Sequence, residues 1–258
     1  MKSKDSNVVT YAILFNFVCA TILTVLAVSR GFESLDIKKY APNLILMAIL
    51  YAAAQILIFK ASKLIEASEL IILSATRVLW TIAGAMLLLG ESFNLQKAVG
   101  VFLIIFAVIF VSYKKKRMKL NCGHWYAILA GFCLGIGFVN DAYILQHSDA
   151  MSYGAIVFIL PLVLTLIVYS SSLNKLKKEV TVKLLFKNLL LGVVYSIGVI
   201  SSYLAYQNGG NASQIVPIGQ SVVIITVILA AIVLGERNSL LKKFVAAGFV
   251  TIGVFLIK

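Results

Sequence analysis

The chain has 258 residues, 61% of them hydrophobic and 13% charged, with a mean hydropathy of +0.99. Soluble domains run at about 45–50% apolar and about 25% charged, so the composition excludes a water-soluble globule and makes the bilayer the solvent for most of the chain. The net charge of +13 would also suit nucleic acid, but the cations fall between apolar runs, as in SYKKKRMKLN (112–121) and NKLKKEVTVKLLFK (174–187). Loops facing anionic headgroups are placed in this way, and nucleic-acid binding is set aside.

The first 31 residues, MKSKDSNVVTYAILFNFVCATILTVLAVSRG, loosely mimic a signal peptide. Their apolar stretch is longer than an h-region of about 7–15 residues and has no small-x-small cleavage site, so it is expected to be a retained first span. A helix needs about 20 mainly apolar residues to cross the hydrocarbon. In chain order this rule predicts nine spans: 8–30, 42–60, 69–90, 97–113, 125–147, 153–171, 185–208, 213–235 and 241–257. The runs are too long and too apolar for barrel strands, which leaves helices to satisfy the backbone in lipid. The gaps are short and polar, so no soluble domain is expected. Of the 23 Lys and Arg, about seventeen fall on the side that holds the N-terminus and about five on the other. The positive-inside rule then puts the N-terminus in the cytoplasm and, with nine spans, the C-terminus outside. Cys19, Cys122 and Cys133 are scattered and odd in number, with no disulfide framework and no metal-ligand spacing. No metal or cofactor is expected.

Two nearly identical words recur, LLLGES at 87–92 and IVLGER at 232–237. Laid over each other, 67–91 and 212–236 share Ala-Ser at their start, Val, Thr and Ala in the middle, and Leu-Gly-Glu at their end: Leu89, Gly90 and Glu91 against Leu234, Gly235 and Glu236. Another apolar run follows each. Glycine suits the left-handed residue that closes a helix. A glutamate just before the next helix favours that helix's positive end, so the word reads chiefly as a tight interhelical turn, with a direct transport role as the alternative.

Paired halves, each with a helix ending in Leu-Gly-Glu and a Gly-rich closing helix, resemble the EamA-type branch of the drug/metabolite transporter superfamily over nearly the whole chain. The resemblance implies an all-α integral membrane protein built as ten helices in two inverted five-helix repeats around a central cavity, a recurrent transporter plan. Here the first repeat, 1–120, supplies four helices and the second, 121–258, supplies five; the helix answering to 125–147 is absent, so either the chain starts late or this member lacks the family's first helix. Members of the family keep both termini in the cytoplasm, which conflicts with the charge count.

Charges inside spans are costly and mark pathways or partners. Arg77 is expected about 12 Å into its span. Ser74, Arg77, Thr81 and Gly84 form one polar, small-residue face, with Trp80 beside it. Arg77 could hold a substrate carboxylate or phosphate, or snorkel back to the interface. Asp141 is expected about 24 Å along its helix, where it could take a proton or the cationic end of a zwitterion, or simply sit at the outer interface. Tyr51 and Gln55 are i, i+4 neighbours, and Tyr195 begins a stripe that continues to Ser202 and Tyr206. Tyrosines could cradle a cation or anchor helix ends at the interface, which suits Tyr203 and Tyr206. Gln220 and Ser221, with Pro217, interrupt the span that carries the second word. Gly131 and Gly135 form G-x-x-x-G, which reads as close packing within the bundle or, alternatively, as a homodimer contact. No catalytic motif is present.

These features predict a multi-pass protein of a bacterial plasma membrane that acts as a secondary permease or exporter. It would move a small polar metabolite, such as an amino acid or related zwitterion, by alternating access, driven by a proton or ion gradient or by simple facilitation. The rivals are a non-transporting membrane subunit or scaffold, an exporter of lipophilic cations and a flippase of lipid-linked sugars.

Overall fold

Residues 8–92, 94–114, 117–118, 121–170, 180–220, 222–235 and 239–257 are described by a computed structural model. The expected spans are helices: α1 (Val8–Ser29), α2 (Ile37–Leu64), α3 (Ala67–Ser74) with α4 (Arg77–Leu89), α5 (Leu95–Ser112), α6 (Cys122–Leu145), α7 (Ala150–Val168), α8 (Val182–Gln207), α9 (Ala212–Gln220) with α10 (Val222–Val233), and α11 (Leu240–Ile257). A two-residue antiparallel pair, Tyr113–Lys114 with Arg117–Met118, follows α5. Among the described residues six helical stretches are long and apolar enough to cross a membrane, and Leu95–Phe110 and Val222–Val233 are shorter apolar helices.

The polar gaps start the helices. Asp36 Oδ1 accepts from Lys39 N, Asn94 Oδ1 from Lys97 N, Asn121 Oδ1 from His124 N, Asp149 Oδ2 from Ser152 N and Thr181 Oγ1 from Leu184 N. Each satisfies an orphan donor of a first turn. Gly90 and Gly235 both adopt φ +68°, the left-handed closure expected of the repeated word. The third expected span differs from the sequence reading in being broken, although it holds no proline. Ser74 Oγ bonds back to Leu70 O, Thr76 Oγ1 to Leu73 O, and the Ala75 and Thr76 amides take i−3 carbonyls. Side-chain competition for the backbone thus tightens the turn between α3 and α4.

The helices form two compact units, and each draws from both halves of the sequence. The first unit holds α1, α7, α8, the α2 residues up to Phe59 and the α6 residues from Asn140. In it α1 packs on α7 and α8. Phe15 meets Phe158 edge-on, and Leu23 lies over Gly154, so α1 and α7 run antiparallel. A Cβ on Gly192 of α8 would come within 2.5 Å of Val18.

The second unit holds α3, α4, α5, α9, α10, α11, the α2 residues from Lys60 and the α6 residues to Val139. Its dry core includes Ile72, Val78, Ile104, Val223, Val227 and Val250. Contacts run in opposite directions along α5 and α11: Gly100 meets Gly253, Phe106 meets Phe249, and Lys242 lies over Phe110. The two broken helices cross likewise, α3 against α10 and α4 against α9. Corresponding helices of the two sequence halves therefore pair head to tail inside a unit, as inverted repeats require.

Candidate functional site

A carboxylate in a membrane-spanning helix needs compensation for its lost hydration. Asp141, fully buried, obtains it from three tyrosines of the first unit. Tyr51 on α2 and Tyr203 on α8 donate to Oδ2 at 2.5 and 2.8 Å, and Tyr153 on α7 donates to Oδ1 at 2.7 Å. The Tyr51 and Tyr153 lengths fall in the range of charge-assisted O–H···O bonds, and that of Tyr203 is an ordinary one. The three tyrosines are themselves at most 7% exposed. Among the described residues no Lys, Arg or His forms an ion pair with Asp141.

Two amide pairs extend this polar seam within the unit. Asn43 Nδ2 donates to Asn140 Oδ1 at 2.7 Å, one residue before the aspartate. Asn16 of α1, fully buried, exchanges both amide bonds with Gln55 at 2.5 and 2.8 Å. Tyr51 and Gln55, expected as neighbours on one face of α2, thus engage Asp141 and Asn16 respectively. A cavity of about 250 Å³ opens at the loops following α1 and α6, with Glu33, Asp36, Lys39, Tyr40, Ser148 and Tyr153 in its lining. Tyr153 belongs to both cavity and cage.

Asp141 is enclosed by its own helix and by the tyrosines of α2, α7 and α8. Tyr203, a candidate interfacial anchor, is 5% exposed and bonded to the aspartate. Tyr195 is half exposed and packs edge-on against Phe15 and Phe158, while Ser202 gives its hydroxyl to Gly198 O of its own helix. In the second unit, Arg77 opens α4 at the helix break, partly buried, with its guanidinium 5.7 Å from the centre of the Phe138 ring. Ser74 bonds to the backbone of its own helix, as does Thr81, which also reaches Gly135 O at 3.2 Å. Trp80 is exposed and meets Phe132 edge-on. The side chain of Gln220, together with Ser221 and Glu236, lies outside the described residues.

Gly131 and Gly135 serve packing within the chain. A Cβ on Gly135 would meet Arg77 O and Trp80 Cβ at 2.6 Å, and one on Gly131 would collide with Thr76 Oγ1. Glu91 corrects the expectation for the repeated word. Its carboxylate accepts from Ala212 N and Ser213 N, capping α9 of the other half rather than the helix that follows it, and Lys97 Nζ donates to Ser213 Oγ at 3.0 Å.

A family model described as the EamA-like transporter family matches residues 2–113 and again 121–258. The chain belongs to the EamA-like transporter family. It is thus a multi-pass membrane protein of the drug/metabolite transporter type, with an all-helical two-repeat architecture. A solved structure titled "Crystal structure of protein" superposes with a TM-score of 0.69 over 96% of this chain and 86% of its own, at 12% identity, a likeness of fold alone. No curated protein matches.

Tyr153 was absent from the residues singled out by sequence, and Tyr203 was read only as an anchor. Asp141 and Tyr153 are twelve residues apart on different helices, so no helical spacing joins them. The available signal was that Tyr51 falls well within its expected span rather than at its end.

Proposed function

We propose that this EamA-like protein is a secondary permease of a bacterial plasma membrane and not an enzyme. Its cargo is a small polar metabolite with a cationic amino group, such as an amino acid or related zwitterion. The observation that carries this reading is the buried Asp141 carboxylate, ringed by three hydroxyl donors and lacking a protein cation among the described residues. Such a group exchanges a proton or an ammonium at low cost, because the tyrosine hydroxyls can turn from donating to the anion to accepting from an arriving cation. Aromatic rings around it add cation–π attraction. The inverted repeats, 1–120 and 121–258, supply the two mirrored states of alternating access, driven by a proton or ion gradient. Asn16, Gln55, Asn43 and Asn140 offer amide groups for the cargo's polar end, and Arg77, at the α3–α4 break, is held as a second candidate for a cargo carboxylate.

The test is flux into liposomes that carry the purified protein. Labelled amino acids and amines are offered with and without an imposed pH gradient, against empty liposomes and the Asp141→Asn variant. Saturable flux that Asp141→Asn abolishes supports the reading. Equal flux in the variant refutes the role of Asp141, and no flux for any amine or amino acid refutes the cargo class.

A further inference from the structure

The cavity at the loop end of the first unit is chemically distinct from the cage around Asp141. In a chain of net charge +13 its lining gathers three carboxylates, Glu33, Asp36 and Asp149, against one ammonium, Lys39, with His147 also at the wall. Asp36 and Asp149 each cap a helix with one oxygen. The Glu33 side chain caps nothing; only its backbone N–H is engaged, donating to Ser152 Oγ. Two hydroxyls in the lining, Tyr40 Oη and Ser148 Oγ, are buried and find no partner within hydrogen-bond geometry among the described residues, with the Lys39 ammonium standing beside Tyr40. Tyr40 is only 3% exposed, with the Lys39 ammonium 5.0 Å from the centre of its ring. Buried polar atoms are seldom left without partners unless something else supplies them. Among the described residues no three His, Cys, Asp or Glu side chains stand close enough together to hold a metal ion.

We propose that this cavity is a binding site for the ammonium group of a small organic cation or zwitterion. Glu33 and the free oxygens of Asp36 and Asp149 supply the opposing charge, and the Tyr40 and Ser148 hydroxyls accept its N–H bonds. The volume, about 250 Å³, lies just below the usual range of about 300–1,000 Å³ for ligand pockets. That size admits a molecule the size of a simple amino acid or diamine and excludes a large lipophilic one. Tyr153 lines the cavity and donates its hydroxyl to Asp141 Oδ1, so a ligand here stands one side chain away from the buried carboxylate. The site depends on this lining and not on transport.

Titration calorimetry on the full chain in lipid nanodiscs tests it with three probes: putrescine for a cation, alanine for a zwitterion, acetate for an anion. Saturable binding of putrescine or alanine, but not acetate, is expected, and which of the two binds tells cation from zwitterion. Glu33→Gln, at an exposed side chain with no capping role, is expected to weaken it by about tenfold or more. Tyr40→Phe, which removes only the orphan hydroxyl, weakens it to a smaller extent. No saturable heat for either amine overturns the proposal. So does binding that ignores Glu33→Gln yet is lost in Asp141→Asn, because the ligand would then occupy only the deeper cage. Binding that follows the expected pattern without any liposome flux would leave this site standing and remove the transport reading instead.

Discussion

Replacing Asp141 by Asn and by Ala separates the charge of the buried carboxylate from its shape. In the Asn variant the amide oxygen can take the place of Oδ2 and keep the Tyr51 and Tyr203 bonds. Tyr153, which donates to Oδ1 in the native protein, turns its hydroxyl to accept from the amide nitrogen. All three partners stay satisfied, but each bond drops from the charge-assisted range of about 1.5–3 kcal/mol to the neutral range of about 0.5–1.5 kcal/mol. The desolvation cost of the anion disappears at the same time, so the net change in stability stays within about 2 kcal/mol. In the Ala variant three buried hydroxyls lose their acceptor at about 1–3 kcal/mol each, which sums to about 3–9 kcal/mol. That is a large share of the roughly 5–15 kcal/mol that holds a typical fold. At about 2–4 °C per kcal/mol for a chain near this size, thermal unfolding in detergent should move by less than about 8 °C for Asn. For Ala it should fall by about 6 °C or more, or the protein should fail to fold. Flux in liposomes should vanish in both. An Asn variant as unstable as the Ala variant would show that the charge itself is structural, and the argument for an exchangeable anion would fall.

Gly135→Ala places a methyl against Arg77 O and Trp80 Cβ, neither able to yield without moving backbone. Overpacking of about 1–3 kcal/mol should lower the unfolding temperature, whereas Gly248→Ala, with nothing within 4 Å, should not. Glu91→Ala removes the cap from α9 and should cost about 1–2 kcal/mol, read as a lower midpoint in thermal unfolding, with Glu91→Gln retaining part of the loss. Lys243 is 2% exposed and paired with Glu66. Glu66→Gln should therefore destabilise by up to about 3–5 kcal/mol by removing the carboxylate from a buried ammonium, and adding Lys243→Met should recover most of it. A double variant no better than the single one would mean that this pair is not the partner that matters.

Hydrophobic run length placed the helices to within about five residues, since lipid thickness imposes a length that composition alone can meet. The closing turns were equally legible, because Gly90 and Gly235 need a backbone conformation that few other residues tolerate. What Glu91 does was not legible. Its side chain reaches a helix of the opposite half, and nothing local distinguishes a cap for the following helix from a cap for a distant one. The break at Ala75–Thr76 was hidden for a similar reason, since Ser and Thr are common inside apolar helices and only their hydrogen bonds decide whether the turn tightens. The site was half visible. Asp141 announced itself as a charge within a span, and Tyr51 lay on an identifiable face. Tyr153 and Tyr203 converge on it only through the packing of α7 and α8, a long-range fact that periodicity does not encode.

The head-to-tail pairing of matching helices has a consequence during synthesis. α1 ends at Ser29, and its antiparallel mate α7 begins only at Ala150, about 120 residues later, or on the order of ten seconds at about 5–20 residues per second. Throughout that interval the ribosome has delivered a helix whose mating surface faces lipid. α5 ends at Ser112 and waits likewise for α11, which begins at Leu240, so the early helices of both units are clients for whatever shields unmated segments in the membrane.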